Sequence, residues 1–202
     1  MTTPSPDTVK SFWDYMQQEY SSKIVAKDES AVMKVAATLL DTLNIQDKEQ
    51  FMQNFVTTLH RTIYIPFDLG ESHPQWSLWG QIRVCVHEHQ HIEQGDRDGW
   101  ATFSTRYVTS SSFRASYEAE AYGCDMEMEQ WRLGSRFDPH KYAIDRPRSL
   151  KSYGCSSEDI EQARQILSIR AGFVAQNLVE TRASQRAIQW LNQHAPNLRI
   201  AA

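Results

Sequence analysis

Three features of the sequence predict a mainly α-helical α+β protein. Apolar residues recur at three- and four-residue steps along most of the chain, the period of helices with one buried face. A single strand-like run, HRTIYIPF from His60 to Phe67, breaks that rhythm. The 202 residues, 41% of them hydrophobic, are enough for one core without disulfide or metal staples. A single domain over 1–202 follows, with N-terminal helices in 7–59, a core in 60–134, and a C-terminal loop and helices in 135–202.

In chain order, Asp7 caps a first helix whose apolar positions are Val9, Phe12, Trp13, Met16 and Tyr20. A second such pattern runs from Ala31 to Leu43 and a third from about Lys48 to Leu59, with joins such as NIQDKE too short to be interdomain linkers. In the strand-like run, Ile63, Tyr64 and Ile65 favour extended backbone, and the proline after them cannot continue a central ladder, which predicts an edge strand. After DLGESHPQ a long helix is predicted from Trp76 to Gln94, with Gly95 as its stop. Ser111 and Ser112 precede another over 113–133, ended by Gly134. The stretch from Ser135 to Gly154, with Pro139, Pro147 and the basic DRPRSLK, predicts a packed loop. Ser156 stands three residues before Asp159, a capping box that opens a helix to about Val179, and a last helix covers 184–194. There is no internal repeat and no low-complexity segment.

Charge and composition exclude several classes of function. Lys and Arg total 21 against 25 Asp and Glu, for a net charge of -4, and no basic run offers the cation density that phosphate binding needs, so nucleic acid is not an expected partner. No stretch approaches the roughly 18 apolar residues of a membrane span, and MTTPSPDTVKSFW lacks the basic and apolar regions of a secretory signal. A soluble, cytoplasmic protein without a membrane partner is expected. Cys85, Cys124 and Cys155 are odd in number and form no CxxC pair. This argues for a reducing compartment and for space-filling thiols rather than a disulfide framework or thiolate zinc site.

The informative segment is RVCVHEHQHIEQ, in which His87, Glu88, His89, Gln90 and His91 satisfy H-E-x-x-H. Histidines four apart on a helix share a face, so His87 and His91 can both reach one Zn²⁺, while Glu88, about 100° around, reaches water on that metal. His89 lies about 200° from His87 and points elsewhere. The pentapeptide arises by chance roughly 0.015 times in a chain of this composition, so context must decide. Val84, Cys85, Val86 and Ile92 make that context a buried helix, where a solvated one would carry Lys, Glu and Gln. The competing reading is a polar helix end with no metal.

A catalytic zinc needs a third protein ligand and one open position. The branch with a third histidine, H-E-x-x-H-x-x-G-x-x-H, is excluded: Arg97 occupies the histidine position and Gln94 the glycine. A glutamate from a downstream helix remains, and RASYEAEAYGCDMEMEQW supplies carboxylates in abundance. From Trp76 to Trp131 the arrangement resembles the Glu-ligand zincin metallopeptidases, the gluzincins, in which H-E-x-x-H precedes a helix carrying E-x-x-A or E-x-x-x-D. It is similar also to short H-E-x-x-H proteins of bacteria and their phages with a YExEAY segment.

The resemblance carries E-x-x-A onto Glu118, Ala119, Glu120 and Ala121 and implies Glu118 as third ligand, with Glu120, about 200° away, as rival. Where such proteins often place an acidic residue to orient a zinc-bound histidine, this chain has Tyr122, and Asp125 one turn on can substitute. Against both glutamates stands the reading of a solvated face paired with Arg114 and Arg132. An oxyanion-stabilising group would come from Tyr107, Tyr117, His140 or Tyr142, and His60 and His73 are candidates to line the cleft.

The implied activity is zinc-dependent hydrolysis of a peptide or protein substrate, with one Zn²⁺ per chain held by His87, His91 and Glu118 and with Glu88 as general base. The edge strand would pair with the extended substrate. Two alternatives come from other classes. One is a non-catalytic structural or assembly protein, such as a virion component with a protein partner, that keeps the zinc. The other is a metal-free helical interaction protein.

Overall fold

The computed structural model describes residues 2–34 and 48–200. It is mainly helical with one small sheet. Helix α1 (Pro6–Tyr20) starts behind Ser5, whose side chain accepts from the Thr8 N–H, and buries Val9, Phe12, Trp13, Met16 and Tyr20 as its spacing predicts. Most of the helix expected over 31–43 lies outside the described residues, of which 31–34 are helical. Strand β1 (Lys23–Ala26) leads on to helix α2 (Lys48–Asn54), strand β2 (Thr57–Leu59) and strand β3 (Thr62–Ile65).

The sheet corrects two expectations. Its order is β1-β3-β2, with β1 parallel and β2 antiparallel to β3, so the run predicted as an edge strand is the central one. Pro66 does not prevent this because it falls just past Ile65, the last paired residue, and a proline outside the ladder withholds no needed N–H. The Ile65 carbonyl still accepts from Lys27 N–H, which extends the β1 side. The helix predicted to reach Leu59 stops at Asn54, and Thr57, Thr58 and Leu59 take up extended backbone and pair with β3.

The long site helix α3 (Leu78–Asp98) is capped by Ser77 and runs one turn past its predicted stop. Gly95 is not a terminator: a Cβ there would meet the Trp100 ring at 2.6 Å, so the glycine makes room for that indole. The turn occurs at Gly99, with φ of 82°, and α4 (Trp100–Thr109), unmarked in the sequence reading, follows at once. Helix α5 (Ser111–Leu133) is capped by Ser110 and ends at Gly134 as expected.

The predicted loop over 135–154 is instead a series of helical turns. Asp138 caps α6 (Pro139–Asp145), with Pro139 in the first turn where its missing N–H costs nothing, and a 3₁₀ segment, Arg146–Tyr153, closes at Gly154. Helix α7 (Ser157–Val174) opens with the predicted Ser156/Asp159 capping box and stops before Val179, and α8 (Arg182–His194) completes the chain's helices. No helix among the described residues is long and apolar enough to cross a membrane.

Two apolar clusters hold these elements. One joins α1, the sheet, α3 and α8 through residues such as Trp13, Ile63, Ile82 and Leu191; the other joins α5, α6, the 3₁₀ segment and α7 through Ala119, Ala143, Leu150 and Leu167. Helix α5 serves both, sending Cys124 and Met128 into the first and Ala115, Tyr122 and Met126 into the second. Its small residues Ala115, Ala119, Ala121 and Gly123 are wholly or largely buried. The seam where α3 meets α5 is therefore walled by packed core on both sides, and the chemically active side chains lie there.

Candidate metal centre

His87 and His91 stand one turn apart on α3, and Glu118 reaches toward both from α5. Each offers one ligand atom, and the three atoms lie within 4.8 Å of one another. The Glu118 oxygens are 3.4 Å from the Nε2 atoms of His87 and His91. All three side chains are buried, Glu118 to 1% exposure. Its Oε2 atom is sealed from solvent and accepts no hydrogen bond, so its counter-charge is the His87 imidazole 3.4 Å away.

The outer nitrogens determine which imidazole atoms are available. His91 Nδ1 lies 2.8 Å from Gln94 Oε1, an amide oxygen that can only accept, so the ring proton is on Nδ1. The Gln94 orientation is set in turn by its Nε2, which donates to the Tyr117 carbonyl at 2.9 Å and to Glu120 Oε2 at 3.1 Å. His87 Nδ1 faces Asp125 Oδ2 at 3.4 Å, again an acceptor. Both Nε2 lone pairs are thereby aimed at Glu118, the arrangement in which imidazoles bind a metal.

Electrostatics describe the same centre without a metal. Burial alone would lower the His87 pKa, but the Asp125 and Glu118 carboxylates outweigh it and raise it from 6.5 to about 10. His91 is raised for the same reason by Glu118. Burial pushes the Glu118 carboxyl up, and the two imidazoles more than reverse this, holding it well below the usual range. The site thus retains positive charge between the histidines and the carboxylate, which a divalent cation can replace.

Glu88 is 4% exposed and lies outside the ligand triad, its Oε2 accepting from the Thr58 hydroxyl of β2 at 2.7 Å. Beneath it Lys27, fully buried, donates to the Phe55 carbonyl and to Thr57 Oγ1, both at 2.9 Å. Burial brings its pKa down to about 7, while the Glu88 charge pulls the other way. Tyr107 donates from its hydroxyl to Glu118 Oε1 at 2.5 Å, and burial followed by the Glu118 charge keeps this phenol protonated.

The other candidate residues fall elsewhere. Glu120 turns outward to Gln94 and to Arg97 Nη1 at 2.9 Å, so neither Arg114 nor Arg132 pairs with it or with Glu118. Arg114 donates to the carbonyls of Tyr107, Val108 and Tyr153, and Arg132 lies over the Trp79 ring. Tyr117 donates to Asp98 at the far end of α3, and Tyr142 reaches Asp125 at 3.4 Å, behind His87 rather than in front of it. His140 is exposed. His60 sits in the exposed β2–β3 turn against Trp100, and His73 packs on Phe67; neither reaches the centre. The Tyr122 hydroxyl bonds to Ser149, leaving Asp125 as the acceptor for His87.

His89 points away as its helical phase predicts. Its Nδ1 donates to the Cys85 carbonyl at 2.7 Å, its Nε2 accepts from Ser22, and burial lowers its pKa to about 4, so it is a neutral core residue. Cys85, Cys124 and Cys155 are buried free thiols.

Sequence reasoning missed Gln94, Thr58, Lys27 and Tyr153. The first was legible, because a residue three after His91 on a helix lies beside it. The other three come from segments that only the fold brings to α3 and α5; the Tyr153 phenol is kept protonated by burial and then by the charge of Glu118. No protein family, curated protein or solved structure matches the chain. The case for function therefore rests on this geometry alone.

Proposed function

We propose that the protein is a zinc-dependent peptidase, with the metal held by His87, His91 and Glu118. The observation that carries the reading is the pair of imidazole Nε2 atoms, each 3.4 Å from one oxygen of the buried Glu118 carboxylate, beside a separate carboxylate, Glu88, that stays out of the ligand set. Two histidines and a carboxylate also suit Fe(II), but an oxygenase has no use for a base between its ligands, and a structural zinc has none either.

Zinc, when bound, supplies a water acidic enough to ionise near pH 7 and a Lewis-acid partner for the carbonyl. Glu88 takes the proton of the attacking water and passes it to the leaving amine, so that proton transfer balances within one residue. Thr58 fixes the carboxylate for that transfer through Oε2. Tyr107 would release its hydrogen bond to Glu118 Oε1 once that carboxylate holds the metal, and donate instead to the carbonyl oxygen as it gains negative charge. Of the two outer strands of the sheet, β1 and β2, it is β2 that touches Glu88 through Thr58, so β2 rather than 60–67 offers its edge to an extended substrate.

Metal analysis of protein purified without added zinc, together with turnover of an unfolded substrate such as casein before and after chelation, tests the reading. Near-stoichiometric zinc with chelator-sensitive cleavage is expected. Bound zinc without cleavage of any unfolded substrate would turn the assignment to the structural or assembly class, and iron in its place would overturn the hydrolytic mechanism.

Metal affinity ranks the carboxylates. Glu118→Ala is expected to weaken zinc binding by more than about 100-fold, Asp125→Asn and Gln94→Leu by about 10- to 100-fold each, and Glu120→Ala by less than either. Competition with a chromogenic chelator measures the series, and a larger effect at Glu120 than at Glu118 would reassign the ligand.

Affinity must also depend on pH in a defined direction. The folded-state pKa of His87 is raised, so its proton stabilises the metal-free fold fully below about 6.5 and that contribution fades as pH rises through about 10. Metal has to displace this proton, and affinity should therefore rise by at least about tenfold per pH unit between 7 and 9. Calorimetric titrations in buffers of different ionisation enthalpy count the protons released, and a pH-independent affinity would contradict the assignment of His87.

A further inference from the structure

We propose that Arg146 forms a carboxylate-binding subsite near the metal centre, so that the preferred substrates carry an anionic carboxylate within about three residues of the bond cleaved. This rests on the peptidase reading and names its substrate class. Arg146 begins the 3₁₀ segment that follows α6, and its guanidinium lies over the Tyr122 ring at 4.3 Å. That ring in turn packs on the His87 imidazole, with centroids 5.5 Å apart.

Among the described residues the guanidinium makes no hydrogen bond. Its Nε is sealed from solvent without an acceptor, and its only ion pair is a distant one, Nη2 to Asp125 Oδ2 at 4.0 Å. Asp125 is already committed to His87 Nδ1 and to Tyr142, and its Oδ1 lies 3.8 Å from Arg83 Nε. Arg83, by contrast, is satisfied by Glu129 Oε1 at 3.2 Å.

The Arg146 side chain is therefore a fixed cation with one face on an aromatic ring, no acceptor of its own, and 37% of its surface open to solvent. A planar guanidinium held this way presents its free N–H edge to a bidentate carboxylate. The Asp125 contacts put Nη2 no more than about 7.5 Å from His87 Nδ1. The metal would lie on the other side of that ring, roughly 4 Å further on, and an extended chain covers the resulting span of at most about 12 Å in three to four residues at roughly 3.3–3.6 Å each, which places the anion within about three residues of the scissile bond. Such a carboxylate can be an Asp or Glu side chain or the C-terminal group of a short peptide.

Four small ligands separate these sources. Each joins a metal-chelating hydroxamate through one glycine to a terminal residue, Glu or Gln, with its C-terminus free or amidated. Calorimetry on the zinc-loaded protein should show the forms with a carboxylate binding about 10- to 100-fold tighter than the Gln amide, which has none. Whichever of the two carboxylates carries the gain identifies the source. Arg146→Gln should erase the gain, whereas Arg148→Gln, on the same segment but 70% exposed and paired with Asp145, should leave it. Equal binding of all four ligands would overturn the subsite while leaving the metal centre intact. Binding of none would remove the metal-centred reading and the subsite together. If Arg146→Gln fails to fold, the wild-type comparison still decides, and Arg146→Lys, which keeps the charge without the fork, should retain only part of the gain.

Discussion

Glu88→Gln is expected to keep a full complement of zinc and to lose turnover by about 10²- to 10⁴-fold, the range that a positioned general base contributes. Glu88 touches neither Nε2 of the ligand histidines; its carboxylate is anchored to Thr58 on β2, and a glutamine of the same shape can keep that hydrogen bond with its amide oxygen. What it cannot do is accept a proton. Steady-state cleavage of casein by metal-matched preparations reads the effect, and a variant as fast as the parent would hand the base role to another group. Thr58→Val should give a smaller loss in kcat with zinc unchanged, because it frees the carboxylate without removing it.

His87→Ala and His91→Ala should each abolish stoichiometric zinc. Removing either imidazole leaves two ligands, too few for a metal that takes four donors, and leaves the Glu118 carboxylate buried with half its counter-charge gone. Both variants should accordingly melt below the metal-free parent as well as below the loaded one. His89→Ala is the informative contrast, since His89 lies between them in sequence but bonds to Ser22 and the Cys85 carbonyl in the core. That variant should retain zinc while losing fold stability by an amount typical of a buried hydrogen-bonded side chain, about 1–3 kcal/mol. Elemental analysis and thermal melts with and without chelator distinguish the two outcomes. Zinc retained by His87→Ala would place the site elsewhere.

Ligand removal also exposes how the fold shelters the centre. The three residues that could hold a metal come from two helices, both packed in the core, and protons on the imidazoles balance the Glu118 charge there without one. Chelation is thus expected to lower the melting temperature without unfolding the chain at neutral pH, unlike small domains that depend on zinc to fold.

Features that follow from helical phase and local chemistry are legible in the chain before it folds. Four-residue spacing put His87 and His91 on one face and turned His89 to the other, and two-residue spacing separated Glu118 from Glu120 on α5. Caps at Ser156 and the stop at Gly134 were legible because each is satisfied within a few residues of itself. The tertiary structure alone decided what depends on distant partners. Gly95 passes for a helix terminator until Trp100 folds back over it. Residues 62–65 pass for an edge strand until β1 and β2 flank them, and 57–59, which the local pattern assigns to a helix, form one of the two outer strands. Among four aromatic or histidine candidates, only Tyr107 reaches Glu118, because Gly99 turns the chain and lays α4 against the α3–α5 seam. Hydrogen bonds and close packing act over a few ångströms in space whatever their separation along the chain, so local pattern foretells the first kind of feature and cannot foretell the second.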